Sequence, residues 1–423
     1  MNNRRWILPA ITGVIATGVI TLVGLVAYQP TITAPELNGI PAATLEQGRY
    51  LAAASNCISC HTATKDQPFA GGVAFQTPFG LMHSTNITTD KETGIGNWSF
   101  ADFYKSMKHG VRPSGENLYP AYPYTAFAKM SDEDIASIYL YLQTLAPIAA
   151  PAKPNQLNFP FNMRSLLSIW KTLFHDSQTY TINPQESPEW NRGAYLVEGP
   201  GHCGACHSPR NLLGAEDQSL ALTGGIHMDQ VKSGKYRQWS AANLTPHSTG
   251  LAAWSKAEIV SYLQHGQNDR AVVHGPMNEV IMNSTQHLTD ADTMAVATYL
   301  QGIPANAQAI GRAASKAELA AGETVYTVHC GSCHLPTGLG DSILGVPLAN
   351  NAIVQTPDPS SLLNVILYGP HLPPPPFVAD RSRMKMFGKR LSDADIANVA
   401  SYLRANFGNN AGRVTVEQVK AQR

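Results

Sequence analysis

Cysteine is scarce in this chain, and every cysteine belongs to one recurring pattern. Six cysteines occur among 423 residues, all in three Cys-x-x-Cys pairs, so the sequence predicts no disulfide bond. An excess charge of one sign is also lacking, because 30 basic residues balance 30 acidic ones. This balance predicts no nucleic-acid partner. Glycine-rich nucleotide motifs and clusters of cysteine for iron–sulfur centres are missing too, so any substrate chemistry must come from another protein.

A histidine follows each cysteine pair directly. The three runs are Cys57 to His61, Cys203 to His207 and Cys330 to His334. In such a run both thiols attach to the porphyrin of a c-type haem, and the histidine binds the iron. The sequence therefore predicts three covalently bound haem c groups, with His61, His207 and His334 as iron ligands and with attachment at Cys57, Cys60, Cys203, Cys206, Cys330 and Cys333.

Zinc sites and thioredoxin-like redox pairs are the alternative interpretations of a Cys-x-x-Cys pair. Zinc usually requires two such pairs, or a pair with further histidines, around one ion. A redox pair needs no histidine after its second cysteine. The histidine repeated at all three pairs favours haem attachment.

The amino terminus carries a membrane-targeting signal. Arg4 and Arg5 precede an apolar stretch over residues 6–28. A helix of this length spans about 30 Å, the thickness of a bilayer core, and the arginines would remain on the cytoplasmic side. A cleaved signal peptide, which usually has a shorter apolar region, is the alternative for residues 1–30. Both interpretations deliver the rest of the chain to the periplasmic side, and an uncleaved anchor predicts location at the inner membrane.

Sequence repeats surround the three motifs. Upstream of each lies a predicted helix with a glycine, Gly48, Gly193 or Gly322, and downstream lies a predicted helix with the capping spacing Ser/Thr-x-x-Asp. Middle helices are predicted at 98–110, 254–266 and, in a plainer form, 358–369. The chain is therefore predicted to be mainly α, with a first unit at 40–150, a second at 188–303 and a third at 312–410, followed by a polar, solvated tail at 411–423.

Residues 151–187 form a proline-rich linker with an apolar centre between the first two units. The apolar part, from Phe161 to Phe174, is too short and too interrupted to cross a membrane. It is either a strap between the two units or a segment that rests on the lipid surface, and the sequence leaves both interpretations open.

In class I-type cytochrome c domains, a methionine from the carboxyl half supplies the sixth iron ligand. Met277 fits this role in the second unit, with Met282 as the fallback, and Met384 or Met386 fits it in the third. The corresponding loop of the first unit has no methionine, and the nearest candidates there are Met130, Met107, His109 and Met82. A backbone carbonyl is expected to orient each histidine, a role that suits Pro209 and Pro336.

Longer motifs give a family resemblance to nearly everything after the amino-terminal segment. They lie at 69–72, 84–88, 90–96, 192–199, 201–207 and 284–292. In these motifs the chain resembles the three-haem cytochrome c subunit of membrane-bound periplasmic alcohol and aldehyde dehydrogenases, a family that includes the gluconate, sorbitol and fructose dehydrogenase cytochromes. The resemblance implies three tandem class I-type cytochrome c domains behind an N-terminal transmembrane helix.

The resemblance also implies a function and its residues. It maps the distal methionines onto Met277 and Met384, and places Tyr122 where the alcohol dehydrogenase cytochromes carry a methionine. It implies an electron-transfer subunit that passes electrons to ubiquinone from a catalytic dehydrogenase subunit of quinoprotein or molybdenum type, with a possible small subunit. The tyrosine tilts the comparison toward the molybdenum type. The alternatives are a self-contained multihaem enzyme that acts on a small inorganic substrate at the first haem, and a free electron shuttle.

Overall fold

The computed structural model describes residues 32–231, 234–341, 343–370 and 384–423. The predicted anchor or signal at 1–30, with Arg4 and Arg5, lies outside these residues. Within the described ranges, no helix combines the length and the apolar character needed to cross a bilayer.

Helices make up most of the ordered structure, as predicted, and two small sheets accompany them. The helices are α1 Leu45–Ala54, α2 Cys57–His61, α3 Phe100–His109, α4 Tyr124–Phe127, α5 Asp132–Leu142, α6 Leu167–Phe174, α7 Pro188–Glu198, α8 Gly204–His207, α9 Lys256–His265, α10 Met277–Asn283, α11 Asp290–Gly302, α12 Lys316–His329, α13 Gly331–His334, α14 Ser360–Tyr368, α15 Asp393–Ala405 and α16 Val416–Gln422. The strands are β1 Ala74–Thr77, β2 Gly80–His83, β3 Gln156–Leu157, β4 Gly225–Gln230 and β5 Tyr236–Ala241. Short 3₁₀ turns lie at Leu37–Gly39, Arg164–Leu166, Gln218–Leu220 and Thr285–His287.

One helix pair recurs three times: α1 packs on α5, α7 on α11, and α12 on α15. A glycine lies at each crossing. A Cβ atom on Gly48 would lie 1.9 Å from the Ser137 carbonyl oxygen, and one on Gly193 would lie 1.9 Å from that of Ala295. The same atom on Gly322 would lie 2.2 Å from the carbonyl oxygen of Asn398. Glycine is required at these positions because the two backbones touch.

The second helix of each pair begins at the residue that the capping pattern predicts. Ser131, Thr289 and Ser392 accept hydrogen bonds from the backbone N–H three residues later, at 3.2, 3.1 and 3.1 Å. The cap satisfies an N–H group that the helix itself leaves unpaired. Helices α3 and α9 also lie within their predicted ranges, and α14 occupies the plainer 358–369 segment.

Two small antiparallel sheets, which the sequence pattern does not predict, follow the first two cysteine motifs. Strands β1 and β2 form a hairpin with Phe75 opposite Met82, and β3 from the linker joins its outer edge. Strands β4 and β5 form a second hairpin with His227 opposite Trp239. These strands are short and their apolar residues do not alternate regularly, so the usual two-residue period of a strand is weak.

Three apolar clusters form the interior. The first contains Leu51, Phe103 and Ile135, the second Leu196, Ile259 and Leu300, and the third Tyr326, Leu363 and Leu403. The helix pairs contribute to all three clusters. Each unit therefore buries its own apolar residues around its own helix pair.

Two tyrosines cross between the first and second units in a reciprocal arrangement. The Tyr50 hydroxyl donates to Asp292 at 2.5 Å and accepts from the Thr289 N–H at 3.3 Å. In the opposite direction, the Tyr195 hydroxyl donates to Asp134 and accepts from the Ser131 N–H at 3.1 Å. Each hydroxyl thus inserts into the capping group of the other unit's terminal helix.

The third unit packs on the second through side chains that bind the β5 strand. Ser361 Oγ donates to the Ser240 carbonyl at 2.7 Å, and Asn364 donates to the Gln238 carbonyl at 2.7 Å. The Arg237 guanidinium lies 3.6 Å from the centroid of the Tyr368 ring. The free edge of the hairpin is thereby covered.

The carboxyl terminus is not a solvated tail, and that prediction was wrong. Val414 and Val419 are 2% and 0% exposed, and both belong to the third apolar cluster. Helix α16 begins with a capping box at Thr415 and packs on α15. Val414 before the helix and Val416 and Val419 within it make the apolar contacts, too few to produce a visible apolar stripe in the sequence.

The linker holds the first two units together as a strap. Lys171 Nζ donates to the carbonyls of His109 and Gly110 at 2.6 and 2.8 Å, at the C-terminal end of α3. A cation is favourable there because the helix dipole is negative at that end. On the other side, Trp170 Nε1 donates to the Leu213 carbonyl of the second unit at 2.9 Å. These contacts fit the strap interpretation.

Candidate haem-binding site

The three Cys-x-x-Cys-His runs adopt the same local structure. Each lies in a single helical turn, α2, α8 or α13, directly after the first helix of a repeated pair. Residues three apart share one face of a helix, so the two cysteines of a motif point the same way. No disulfide bond joins any of the six cysteines.

Each motif histidine is held by a backbone carbonyl from later in the chain. His61 Nδ1 lies 2.6 Å from the Thr85 oxygen, His207 Nδ1 2.7 Å from that of Ala242, and His334 Nδ1 2.8 Å from that of Val346. When Nδ1–H donates to a carbonyl, Nε2 remains the metal-binding nitrogen. The prediction of an orienting carbonyl is therefore confirmed at all three sites.

The predicted source of that carbonyl was wrong. Pro209 and Pro336 lie two residues after their histidines, but the carbonyls come from Ala242 and Val346. Thr85 and Ala242 each follow the second strand of a hairpin, β2 or β5. The hairpins return the chain to the histidine, which sequence proximity alone could not indicate.

Burial lowers the pKa of His61, His207 and His334, although each carbonyl hydrogen bond opposes this effect. The imidazoles are therefore neutral at pH 7, the form that binds a metal.

A cavity of about 2300 Å³ lies at the second motif and extends toward both neighbouring units. Cys203, Cys206 and His207 line it together with both methionine candidates, Met277 and Met282. Cys60 of the first motif and residues of the 347–353 segment of the third unit also line it. The structure thus brings Met277 and the second motif to one cavity.

The indole of Trp239 agrees with a haem in this cavity. Its side chain is 4% exposed, and its Nε1–H has no hydrogen-bond partner among the described residues, although it lines the cavity. A buried unpaired donor is costly unless a bound group satisfies it. A haem propionate would supply the acceptor. Sequence reasoning missed Trp239, whose only signal is its place three residues before the Ala242 carbonyl.

Loop geometry places Met277 against the same wall. Gly275 has a positive φ of 59°, and a Cβ atom there would lie 2.7 Å from the Trp239 ring. The loop that carries Met277 can therefore approach the indole only with glycine at this position.

The two methionine candidates of the third unit lie in different surroundings. Met384 packs against the third apolar cluster, as Cys330 of the motif does. Met386 is 57% exposed. Met384 is therefore the better placed of the two, and its role as an iron ligand stays a prediction.

The four candidates in the first unit lie in different surroundings, and Met82 lines the same cavity as Cys60. Met130 is fully buried in the first apolar cluster, and its carbonyl accepts from Lys108. The pKa of His109 is lowered to about 4 by burial, with further contributions from His175 and nearby lysines. Met82 lies three residues before the Thr85 carbonyl that holds His61, as Trp239 lies three residues before Ala242. Met107 contacts Tyr122.

The first and second motifs lie close together across the interface between units. Burial, together with the nearby Cys206 and Glu279, raises the pKa of Cys60 to about 12. Asn283, at the end of α10, donates to Ser59 Oγ at 2.8 Å. Neighbouring Ser284 donates to the Ala54 carbonyl at 3.0 Å. These bonds hold the first motif beside the second.

Comparison with known proteins gives matches over most of the chain. Residues 45–146 match the cytochrome c family, and residues 317–403 match the family of subunit III of cbb3-type cytochrome c oxidase. The chain is 38% identical to the cytochrome c subunit of a quinone-dependent alcohol dehydrogenase from Gluconobacter oxydans, over 90% of this chain and 82% of that protein. It is 37% identical to the cytochrome c subunit of gluconate 2-dehydrogenase from Pantoea cypripedii, over 90% of each. It is also 38% identical to one subunit of nicotinate dehydrogenase from Pseudomonas putida, over 96% of this chain but 34% of that longer protein.

Proposed function

We propose that this chain, which belongs to the family of dehydrogenase cytochrome c subunits, carries three covalent haem c groups and transfers electrons from a catalytic dehydrogenase subunit to ubiquinone. The observation that carries the proposal is the threefold recurrence of one arrangement, a Cys-x-x-Cys-His turn whose histidine donates to a later backbone carbonyl. Haem iron changes its charge by one electron without breaking a bond, which suits electron transfer.

The roles of the residues follow from their positions. The six cysteines would hold the porphyrins, and His61, His207 and His334 would bind iron through Nε2. Met277 and Met384 would complete the coordination of the second and third irons. Trp239 would donate to a propionate of the second haem and fix its orientation. Three successive cytochrome c domains of this kind would form a single path for electrons.

The catalytic partner is proposed from the relatives, which are named as subunits of alcohol, gluconate and nicotinate dehydrogenases. That partner, of quinoprotein or molybdenum type, would oxidise the substrate. We further propose location at the inner membrane, on the periplasmic side, because residues 6–28 are apolar behind two arginines. Anchoring would keep the haems near the ubiquinone pool.

A tagged full-length chain, purified from membranes together with its partners, tests these proposals. A pyridine haemochrome assay with peptide mass analysis should find three haems per chain, one at each cysteine pair. Substrates of the co-purifying subunit, tested among alcohols, aldehydes and sugar acids, should reduce all three haems and then ubiquinone. A matched variant with Cys330→Ala and Cys333→Ala should lose one haem. Purification of a lone chain that no such substrate reduces would contradict the proposal.

A further inference from the structure

The loop after the middle helix has the same geometry in the first two units. Helix α3 ends at Gly110 and α9 ends at Gly266, both in the left-handed conformation. The Gly110 carbonyl accepts from the Leu118 N–H at 2.7 Å, and the Gly266 carbonyl accepts from the Val273 N–H at 2.7 Å. These two bonds close equivalent loops, so Leu118 and Val273 occupy equivalent positions.

Counting from this anchor aligns the residues that follow. Tyr122 lies four residues after Leu118, and Met277 lies four residues after Val273. The two side chains therefore belong to the same position in the repeat, on the distal side where Met277 lines the cavity. The alignment comes from hydrogen bonds within this one chain.

The surroundings of Tyr122 agree with this placement. Burial raises the pKa of its hydroxyl, and Cys57 of the first motif is near enough to raise it further. The hydroxyl donates to Met107 Sδ at 2.7 Å. Met107 belongs to α3 and is 4% exposed in the first apolar cluster. The phenol thus lies near the first motif and engages Met107.

Met82 does not restore a sulfur to this position. It precedes the Thr85 carbonyl by three residues and is thereby equivalent to Trp239, which precedes the Ala242 carbonyl by three. Both belong to the strand that leads to the carbonyl holding the motif histidine. Met82 therefore occupies the repeat position of Trp239, not that of Met277.

We propose that the first haem has no methionine ligand, and that Tyr122 closes its distal side while leaving the iron open to a small exogenous ligand such as carbon monoxide. This inference rests on the proposal that the first motif carries a haem. The Tyr122 hydroxyl, which donates to Met107 Sδ, is a donor that could turn toward a ligand bound at the iron. A methionine ligand raises the reduction potential of a haem, so the first haem should have the lowest potential of the three.

Carbon monoxide difference spectra of the dithionite-reduced, membrane-purified protein test the proposal. One haem in three should bind carbon monoxide, because methionine ligation would protect the other two. Tyr122→Met should abolish this binding and raise the lowest midpoint potential in a redox titration. Tyr122→Phe, the matched control, should retain the binding, as should Met107→Leu.

Failure of this inference differs from failure of the haem count. Absence of carbon monoxide binding in a wild-type protein with three haems would overturn the inference alone. Binding that appears only in Met107→Leu would identify Met107 as the ligand and also overturn it. A peptide containing Cys57 and Cys60 without haem would overturn both the inference and the three-haem proposal.

Discussion

The first two units and the third unit are built on the same helix pair but are joined to the molecule in different ways. Tyr50 and Tyr195 each follow the crossing glycine by two residues, and each hydroxyl enters the other unit's capping group. The equivalent residue in the third unit is Thr324, which bonds only to the Ala320 carbonyl of its own helix. Asp395 likewise completes a capping box with Ser392 of its own helix.

This difference shows how one repeat can serve two kinds of interface. In the first two units, the tyrosine hydroxyl accepts a hydrogen bond from the backbone N–H of the capping residue. In an ordinary capping box, the side chain of Asp134 or Asp292 would accept that bond. The third unit keeps its capping box. It is held instead by hydrogen bonds from Ser361 and Asn364 to carbonyls of the β5 strand. The first and second units are therefore joined by reciprocal contacts, and the third is joined to the second by a different set.

Alanine at the crossing glycines should have the largest effect and should show which units unfold together. We expect units one and two to unfold together in one transition. Gly48→Ala or Gly193→Ala should lower the free energy of that unfolding by about 3 kcal/mol, because the new Cβ overlaps a carbonyl oxygen. Gly322→Ala should lower the free energy of unfolding of the third unit, in a separate transition. Differential scanning calorimetry measures both.

Gly39→Ala is the control, since nothing lies within 4 Å of its Cβ position. It should leave both transitions unchanged. A shift of the same transition by Gly48→Ala and Gly322→Ala would show that all three units unfold as one, rather than as a coupled pair with a separate third unit.

Removal of a crossing hydroxyl should have the next largest effect. Tyr50→Phe or Tyr195→Phe leaves a carboxylate and a helix N–H without the hydroxyl, at a cost of about 1–3 kcal/mol. Chemical denaturation of each variant and of the double variant measures the cost and the coupling between the two sites.

Thr324→Ala is the matched change in the third unit. Because Thr324 makes only a local bond on an exposed helix face, its effect should stay within about 0.5 kcal/mol. If Thr324→Ala and Tyr50→Phe lowered the free energy of unfolding equally, the proposed difference between the two kinds of interface would be wrong.

Acid should weaken the coupling of the first two units. Burial would raise the pKa of Asp292, but hydrogen bonds from Arg192 and Tyr50 outweigh it and lower the pKa below its usual value. A depressed carboxyl pKa stabilises the folded state above the unfolded pKa, and this contribution is lost as pH falls through the folded pKa, below about pH 4.

The pH dependence of the first calorimetric transition tests this expectation. In Asp292→Asn, the decline of that transition on acidification should be shallower than in the wild type. An identical acid profile in the two proteins would show that Asp292 does not report on the interface.

Loss of the Arg237 contact should have the smallest effect. Arg237→Gln removes the cation above the Tyr368 ring and should cost about 0.5–1 kcal/mol, seen only in the transition of the third unit. Lys235→Gln removes a charge from the same hairpin away from that ring and serves as the control. If Lys235→Gln lowered the stability of the third unit more than Arg237→Gln, net charge and not the ring contact would determine that stability.

Local chemistry could be predicted from the sequence, while contacts between distant residues could not. The Cys-x-x-Cys-His runs and the caps at Ser131, Thr289 and Ser392 each depend on neighbours within a few residues. Tyr50 meets Asp292 across 242 positions, and its role depends on how two units pack. Two of the three orienting carbonyls, those of Thr85 and Ala242, follow hairpins whose short strands carry little pattern.

The carboxyl terminus and the strap show the same limit. Val414, Val416 and Val419 give this segment its apolar contacts, although it is polar overall. Lys171 looks like a surface residue in the sequence, yet it binds two carbonyls at the end of α3. In both cases a few side chains find partners that only the folded chain supplies.

The reciprocal tyrosines give the first two units the symmetry of a homodimer within one polypeptide. An interface in which each half offers the same group to the same receptor on the other half is isologous, the arrangement typical of twofold-symmetric dimers. Here the strap connects the halves covalently, so their association is intramolecular and independent of protein concentration. Dilution, which dissociates ordinary dimers, should therefore leave this pair and the adjacency of its two cysteine motifs intact.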